Sequence, residues 1–534
     1  MKHSFITTQA LVGKSRVLGG WWGKSQPTTK NKVYRKKLMT LLAIDIGTTH
    51  CKAGLFDVNG TVMKIASRKT ITRQSSDGWA YYEPHEMLGV VAAIVEEVTR
   101  DQLQPIAAIG IASMAETGLL VDRKTSQYRS FMIPWFETKA QPYADEIILK
   151  IDPMDCYLKY GLRVSFKSSL AKILWLRQEC CSLENAIWLS AADFVAYWLT
   201  GEFGTDYSLA GRTLVFRVGE KRWDEEWLRE WKIPENLFPP AYQSGTPIGK
   251  VVVSVAGLKK GIPVSVCGHD HICASLAMGV IRPGIVFDSM GTAESMIGVL
   301  PERSLTEADY HNGLHYGCHV AEGLGYWTGG LSTSGGSVEW VRTLLSSAPS
   351  YQDLDALLDN AGPRPTGILY FPYLLGSGSP HVDPRARGAL IGLTKEHRSQ
   401  DFFKAVLEGT AYEMEFIRRA GERMTGQPIR SLVAAGGGTR FASWMQIKAD
   451  VSGCEIKVST EPEATLVGAA ISVGVGCGVY SSLGESLNAF GARFPDTFHP
   501  IPQNFAIYKQ LYENGYLHFQ EALRSFSLPE MLGM

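Results

Sequence analysis

No stretch of the chain approaches the roughly 18 uninterrupted apolar residues of a membrane span, so a soluble protein with no membrane partner is expected. Cysteine is sparse and unclustered: nine residues, at 51, 156, 180, 181, 267, 273, 318, 454 and 477, without CxxC spacing. That pattern excludes a disulfide framework or zinc site and predicts reduced core thiols in a cytoplasmic protein. Net charge is absent as well, because 53 Lys and Arg face 53 Asp and Glu. Nothing in that balance points to a nucleic-acid partner. A phosphate loop is missing, since Gly13-Lys14-Ser15 has Thr8 where the motif needs its first glycine.

What is present is the composition of an ordinary folded protein, 45% apolar and 20% charged, which leaves no room for long disorder. At 534 residues the chain exceeds what one hydrophobic core supports, so two lobes are expected. The charges are unevenly spread. Residues 1–38 hold nine Lys or Arg and no acid, which leaves 44 basic against 53 acidic residues, net −9, in the remainder. This basic leader lacks the apolar core of a secretory signal; it reads as a disordered tail or upstream segment before Met39, with a transit peptide as the alternative.

From Leu41 the pattern predicts a mixed α/β lobe. An apolar run (Leu41 to Ile44) meets Asp45 and a Gly47-Thr48-Thr49 turn, then a second run (Cys51 to Phe56) and an Asn59-Gly60 turn into a third strand. Strands are also predicted at Ile106 to Ala112, Leu119 to Val121 and Val251 to Val255, with helical periodicity at Glu86 to Thr99, Ser168 to Gln178 and Asp193 to Leu199. A strand, Gly-Thr turn and strand recur at Gly284 to Val299, so the first lobe's beginning is repeated after a Pro283-Gly284 hinge. Residues 39–282 and 283–534 are the two lobes this implies. Helices follow at Ser337 to Leu345, Gln400 to Arg419 and Ala442 to Val451, with strands at Ile368 to Tyr370 and Ser431 to Ala435.

Three glycine turns and two carboxylates carry the candidate chemistry. Asp45 ends a buried strand beside Gly47, Thr48 and Thr49, where glycine admits phosphate oxygens, threonine adds hydroxyl donors and the carboxylate can hold Mg²⁺. An Asx-type turn is the plain alternative. Gly291 and Thr292 could meet the same phosphates from the second lobe. Asp270, at a strand-to-helix junction within Gly268-His269-Asp270-His271, would face the cleft and serve as base toward a hydroxyl. His269 and His271 lack ligand spacing and are expected to pack or hydrogen-bond. Gly436, Gly437 and Gly438 would let a flat ligand lie on the backbone, or form a tight turn only.

From Met39 onward the chain resembles the FGGY carbohydrate kinases. Gly388 to Glu408 (GALIGLTKEHRSQDFFKAVLE) fits that family's second signature in type and spacing. Ser169, Lys172, Ile173, Trp175 and Leu176 fit the first, with Lys167 where an aromatic or small residue is usual. TDYSLAGRTLVF from Thr205, GGGTRFASWMQIKAD from Gly436 and EATLVGAAISVGVG from Glu463 are similar too. The resemblance implies two actin-like, ribonuclease-H-like lobes around a cleft where ATP and sugar meet. It implies indirect Mg²⁺ binding by Asp45, outer-phosphate contacts from Thr48, Thr49, Gly291 and Thr292, adenosine against Gly436 and Gly437, and Asp270 as catalytic base. That role rests on geometry more than basicity.

The resemblance also places Glu116 and Trp135 on the sugar. Glu116 corresponds to the acid of the Arg-Glu-Thr motif of the family's glycerol kinases, with Ala115 replacing the Arg. Trp135 would pack on the sugar's carbon skeleton or in the core, with Glu137 and Lys139 where Asp and Arg are usual. These departures, with Gly376-Ser377-Gly378, argue against glycerol or xylulose as acceptor, and Lys167 hints at an anionic one. The expected activity is ATP-dependent phosphorylation of a small sugar, ketose, polyol or sugar acid by a cytoplasmic enzyme, with a homodimer as one assembly open to it. The second reading is an actin-like nucleotide-gated scaffold without phosphotransfer.

Overall fold

The computed structural model describes residues 39–179, 181–252, 257–344 and 349–525. The basic leader 1–38 lies outside them. The first sheet is built from β1 (Thr40–Ile46), β2 (His50–Asp57), β3 (Val62–Lys69), β4 (Ile106–Ser113), β5 (Pro247–Lys250) and β6 (Pro263–His269). Its order is β5-β6-β4-β1-β2-β3. Every residue of β1 is buried, which is why TLLAIDI reads as one apolar run interrupted only by Asp45. The Val251 to Val255 run begins where β5 ends at Lys250; residues 253–256 lie outside the described residues.

The second sheet repeats this plan. It comprises β7 (Ile285–Met290), β8 (Glu294–Pro301), β9 (His315–Cys318), β10 (Leu324–Leu331), β11 (Ser431–Ala435), β12 (Glu455–Val458) and β13 (Asp496–Phe498). Its order is β9-β10-β8-β7-β11-β12-β13. β1 pairs antiparallel with β2 and parallel with β4, and β7 pairs antiparallel with β8 and parallel with β11. Beyond these, β6 and β12 continue in parallel, and β5 and β13 close the edges antiparallel. The recurrence predicted from the Gly-Thr turns is thus a repeat of the whole sheet topology.

Helices fix the two sheets against each other. The sheets are accompanied by α1 (Ser169–Gln178), α2 (Asp270–Ala277), α3 (Ser399–Thr425), α4 (Ala442–Ser452) and α5 (Ala464–Gly476), of which α2 and α5 lie in the core shared by both. The second-signature sequence supplies the start of α3, a long helix packed under the second sheet. α5 is apolar on all sides because it is enclosed: it packs on α2 and on β1 and β4 of the first sheet. The two helices cross so closely that a Cβ at Gly468 would lie 1.9 Å from the Cys273 carbonyl oxygen. Leu41, Ala43, Cys267, Phe287, Val433, Leu466 and Ile471 therefore share one core that joins both sheets. Asp270 sits at the first turn of one crossing helix, and Glu463 immediately precedes the other.

Candidate active site

The two Gly-Thr turns are built alike. At the β1–β2 turn the Gly47 N–H donates to the His50 carbonyl at 3.1 Å, and a Cβ at Gly47 would stand 2.8 Å from that oxygen. Only glycine closes so tight a turn. Thr70 braces it, its hydroxyl donating to the Gly47 carbonyl at 2.7 Å and its N–H to the Thr49 carbonyl at 2.9 Å. At the β7–β8 turn the Gly291 N–H donates to the Ala293 carbonyl at 2.9 Å. Ser334, Gly335 and Gly336 brace that turn by donating to the carbonyls of Thr292 and Gly291. Thr49, Gly291 and Thr292 are exposed, as are Gly436 and Gly437 after β11. Gly436 itself presses on β7: a Cβ there would approach the Met290 carbonyl to 2.3 Å.

A cleft of about 420 Å³ has walls that include Asp45, Lys52, Asp270, His271, Ser289, Gly436, Thr439 and Glu463, whereas Thr48, Thr49, Gly291, Thr292, Gly437, Glu116 and Trp135 are not among its lining residues. The two carboxylates singled out in the sequence, 225 positions apart, thus line one gap. Asp45 is buried and its Oδ1 has no hydrogen-bond partner. Burial first, then the nearby Asp270, push its pKa well above the ordinary value; Lys52, its register partner on β2, opposes them. Lys52 is spoken for by Glu463, at 2.7 Å across to the start of α5. A carboxylate buried with one oxygen unpartnered next to a second carboxylate is a donor set suited to a hard divalent cation.

Asp270 opens α2, where its Oδ1 accepts the His271 N–H at 2.7 Å. His269 Nε2 lies 3.2 Å from the same oxygen. Burial pulls the His269 pKa down to about 3, so the ring is neutral and its Nε2 proton can face the carboxylate. The His269 backbone N–H donates to Ser208 Oγ at 2.9 Å. His269 is therefore a hydrogen-bonding residue, as its spacing suggested, and exposed His271 stacks on it at 5.6 Å.

Glu116 was reached from sequence, but its partner was not. Arg212 Nε donates to Glu116 Oε1 at 2.7 Å, and Nη2 closes on the same oxygen. Asp206 sets this up by capping the one-turn helix 207–210, from which the chain emerges at Gly211 and Arg212. The guanidinium missing at Ala115 thus arrives from Arg212, 96 residues on from Glu116, where no local spacing reveals it. Burial pushes the Glu116 pKa upward, yet Arg212, Lys167 and Lys172 outweigh it and hold the carboxyl below the usual range. Its backbone is in the left-handed region, φ 55°, pinned where buried Lys172 Nζ donates to the Glu116 carbonyl at 2.5 Å. Such strain is held where a side chain has to be aimed.

Trp135 is half-buried, and its indole N–H donates to Thr48 Oγ1 at 2.9 Å. That bond ties Trp135 to the first Gly-Thr turn, and it occupies the hydroxyl expected to meet phosphate. Thr48 passes its own proton toward Met114 Sδ at 3.5 Å. Its backbone N–H and the neighbouring Thr49 are what this turn offers an anion. Glu137 faces inward, accepting the N–H groups of Ala80 and Lys139 at 2.5 and 2.8 Å, so it shapes the loop.

Comparison with known proteins identifies the family. The description "FGGY family of carbohydrate kinases, N-terminal domain" matches residues 40–277, and that family's C-terminal domain matches 288–477. The chain is 26% identical to a xylulose kinase of Lactococcus lactis, over 89% of this chain and 95% of that one. It is 29% identical to a glycerol kinase of Gloeobacter violaceus, over 84% and 90%. Among solved structures, the xylulose kinase from Lactobacillus acidophilus superposes with a TM-score of 0.83 at 21% identity, covering 92% of this chain and 99% of that one. These likenesses favour catalysis over the scaffold reading. Among the described residues, no helix is long and apolar enough to cross a membrane.

Proposed function

The chain belongs to the FGGY family of carbohydrate kinases, an ATP-dependent phosphotransferase with an alcohol acceptor, and from that premise we propose that Asp270 is the base of its reaction. One observation supports this above others: Asp45 and Asp270 line a single cleft, with Gly436 in its wall. In this reading residues 39–282 hold the acceptor and outer phosphates, and 283–534 hold the nucleotide. Gly436 and Gly437 offer bare backbone to the adenosine, and the turns at Thr48–Thr49 and Gly291–Thr292 offer N–H groups to the phosphates.

Asp270 takes the proton of the acceptor hydroxyl as that oxygen attacks the γ-phosphorus in line, and ADP departs. His269 Nε2 and the His271 N–H both hold Asp270 Oδ1, which keeps the carboxylate aimed and leaves Oδ2 for the acceptor. The Arg212–Glu116 pair presents a fixed acceptor for sugar hydroxyls, and Trp135 offers an apolar face to the carbon skeleton. Asp45, with its unpartnered oxygen, would hold Mg²⁺ directly or through water. Bound there, that ion would neutralise charge developing on the phosphates. Closure of the lobes about the crossing of α2 and α5 would exclude water, so that the sugar rather than solvent is phosphorylated. We place the reaction in the cytoplasm, where ATP and unphosphorylated sugar are both supplied.

The test is an ADP-release screen of ketoses, pentitols, hexitols and sugar acids, with the product weighed by mass spectrometry. Mass gain of one phosphoryl group on an acceptor supports the reading. ATP hydrolysis without any phosphorylated acceptor overturns it.

A further inference from the structure

The acceptor side of the site holds one ammonium, that of Lys167, which no carboxylate contacts directly among the described residues. Lys167 lies in the loop before α1, fixed by the Ser168 N–H donating to the Ser165 carbonyl at 3.0 Å and the Lys167 N–H to Ser165 Oγ at 3.3 Å. Its ammonium stands 5.1 Å from the centre of the Trp135 ring and makes no ion pair among the described residues. The two nearby carboxylates are already engaged: Glu116 by Arg212, and Glu137 by backbone N–H groups. Behind it lies Lys172, fully buried, whose pKa burial and the facing Lys167 pull down to about 7. From the second sheet His315 faces the same group of charges, and burial keeps its ring neutral. A cation over an aromatic ring on an open surface needs no further explanation. One set among other cations, beside carboxylates that Arg212 and backbone N–H groups already hold, has no carboxylate in direct contact among the described residues.

The donors left over indicate which anion. Arg212 spends its fork on Glu116, and Arg163 donates to the Tyr310 carbonyl at 2.8 Å while stacking on that ring. Beside Trp135 the donor on offer is the single ammonium of Lys167, which suits a carboxylate. We infer that the acceptor is a sugar acid of the aldonate type, its carboxylate paired with Lys167 above Trp135 and its hydroxyls reaching Glu116 and Asp270. The inference rests on the kinase reading and deepens it. The bond formed is between an acceptor hydroxyl oxygen and the γ-phosphorus, the bond broken is that between the γ-phosphorus and the oxygen bridging to the β-phosphate, and the hydroxyl proton passes to Asp270. The carboxylate does not react.

Five- and six-carbon aldonates, their matching alditols and aldose phosphates are compared as acceptors by ADP release, in the full chain and in Lys167→Met and Lys167→Arg. The expected result is a kcat/KM for one or more aldonates at least ~10-fold above the alditol of the same skeleton, as a charge-assisted contact provides. Lys167→Met should erase most of that ratio through the KM of the acid, and Lys167→Arg should restore much of it. Preference for an alditol or a sugar phosphate over every aldonate overturns the inference and leaves the kinase reading standing. So does a Lys167→Met loss that falls equally on acid and alditol. Absence of phosphorylation with every acceptor, although ATP binds, overturns both.

Discussion

Replacing Arg212 by Met separates what the Glu116 ion pair does for stability from what it does for the acceptor. Both side chains are largely buried, 15% and 11% exposed, so removing the guanidinium leaves a carboxylate with little water to replace it. A contact pair at about 4 Å is worth about 4 kcal/mol at an effective dielectric of 20. Breaking a buried pair by deleting one partner typically costs about 3–5 kcal/mol. For a lobe the size of residues 40–277, at roughly 2–4 °C per kcal/mol, this corresponds to a fall in Tm of roughly 8–16 °C. Scanning calorimetry reads it, and Glu116→Gln in the same chain should recover most of the loss. The pair also has a pH signature. With Arg212 gone, burial is opposed only by Lys167 and Lys172, so the Glu116 pKa rises and acceptor KM should worsen at the acid end of the pH range, where the parent does not. A Tm change under 2 °C, together with a KM profile that keeps its shape, would refute the reasoning.

Three further outcomes follow from buried groups away from the acceptor. Lys448 on α4 is fully buried against Asp288 at 2.9 Å and Glu294 at 2.6 Å, and Ser334 ties Glu294 to the segment bracing the Gly291–Thr292 turn. Lys448→Met should cost about 3–5 kcal/mol, read by chemical denaturation, with Asp288→Asn and Glu294→Gln restoring part of it. Glu408 on α3 is buried and its pKa raised from 4.5 to about 7, by burial against hydrogen bonds from Thr366 and Tyr508. A raised folded value stabilises below pH 4.5 and that contribution, up to about 3 kcal/mol, disappears as pH rises through 7; Glu408→Gln should flatten stability measured between pH 5 and 7.5. Gly468→Ala puts a methyl against the Cys273 carbonyl at the α2–α5 crossing and should lower stability by about 1–3 kcal/mol in calorimetry.

The sequence was most legible where local chemistry dictates local structure. The run before Asp45, the tight turn at Gly47 and the second Gly-Thr turn each require a residue type at a fixed position, and β1, β2, β7 and β8 appear there. What periodicity cannot convey is register between distant segments. That β5 joins β6 as an edge strand, and that α5 leaves its own lobe's sheet to lie on β1 and β4, are decided by packing over hundreds of residues. The same limit hid half of the candidate site. Glu116 and Trp135 stand in short recognisable stretches, whereas Arg212, Lys172 and His315 meet Glu116 only through the fold. The Thr48 hydroxyl looked free for phosphate because its indole partner lies 87 positions on.

The central claim is that Asp270 accepts the acceptor's proton beside bound ATP, and rapid-quench single turnover of Asp270→Asn, with ATP affinity measured by calorimetry on the same preparation, tests it most directly. The predicted result is ATP affinity within about threefold of the parent and phosphoryl transfer slowed by roughly 10² to 10⁴, the range general-base loss produces. Transfer at the parent rate in that variant would contradict the claim.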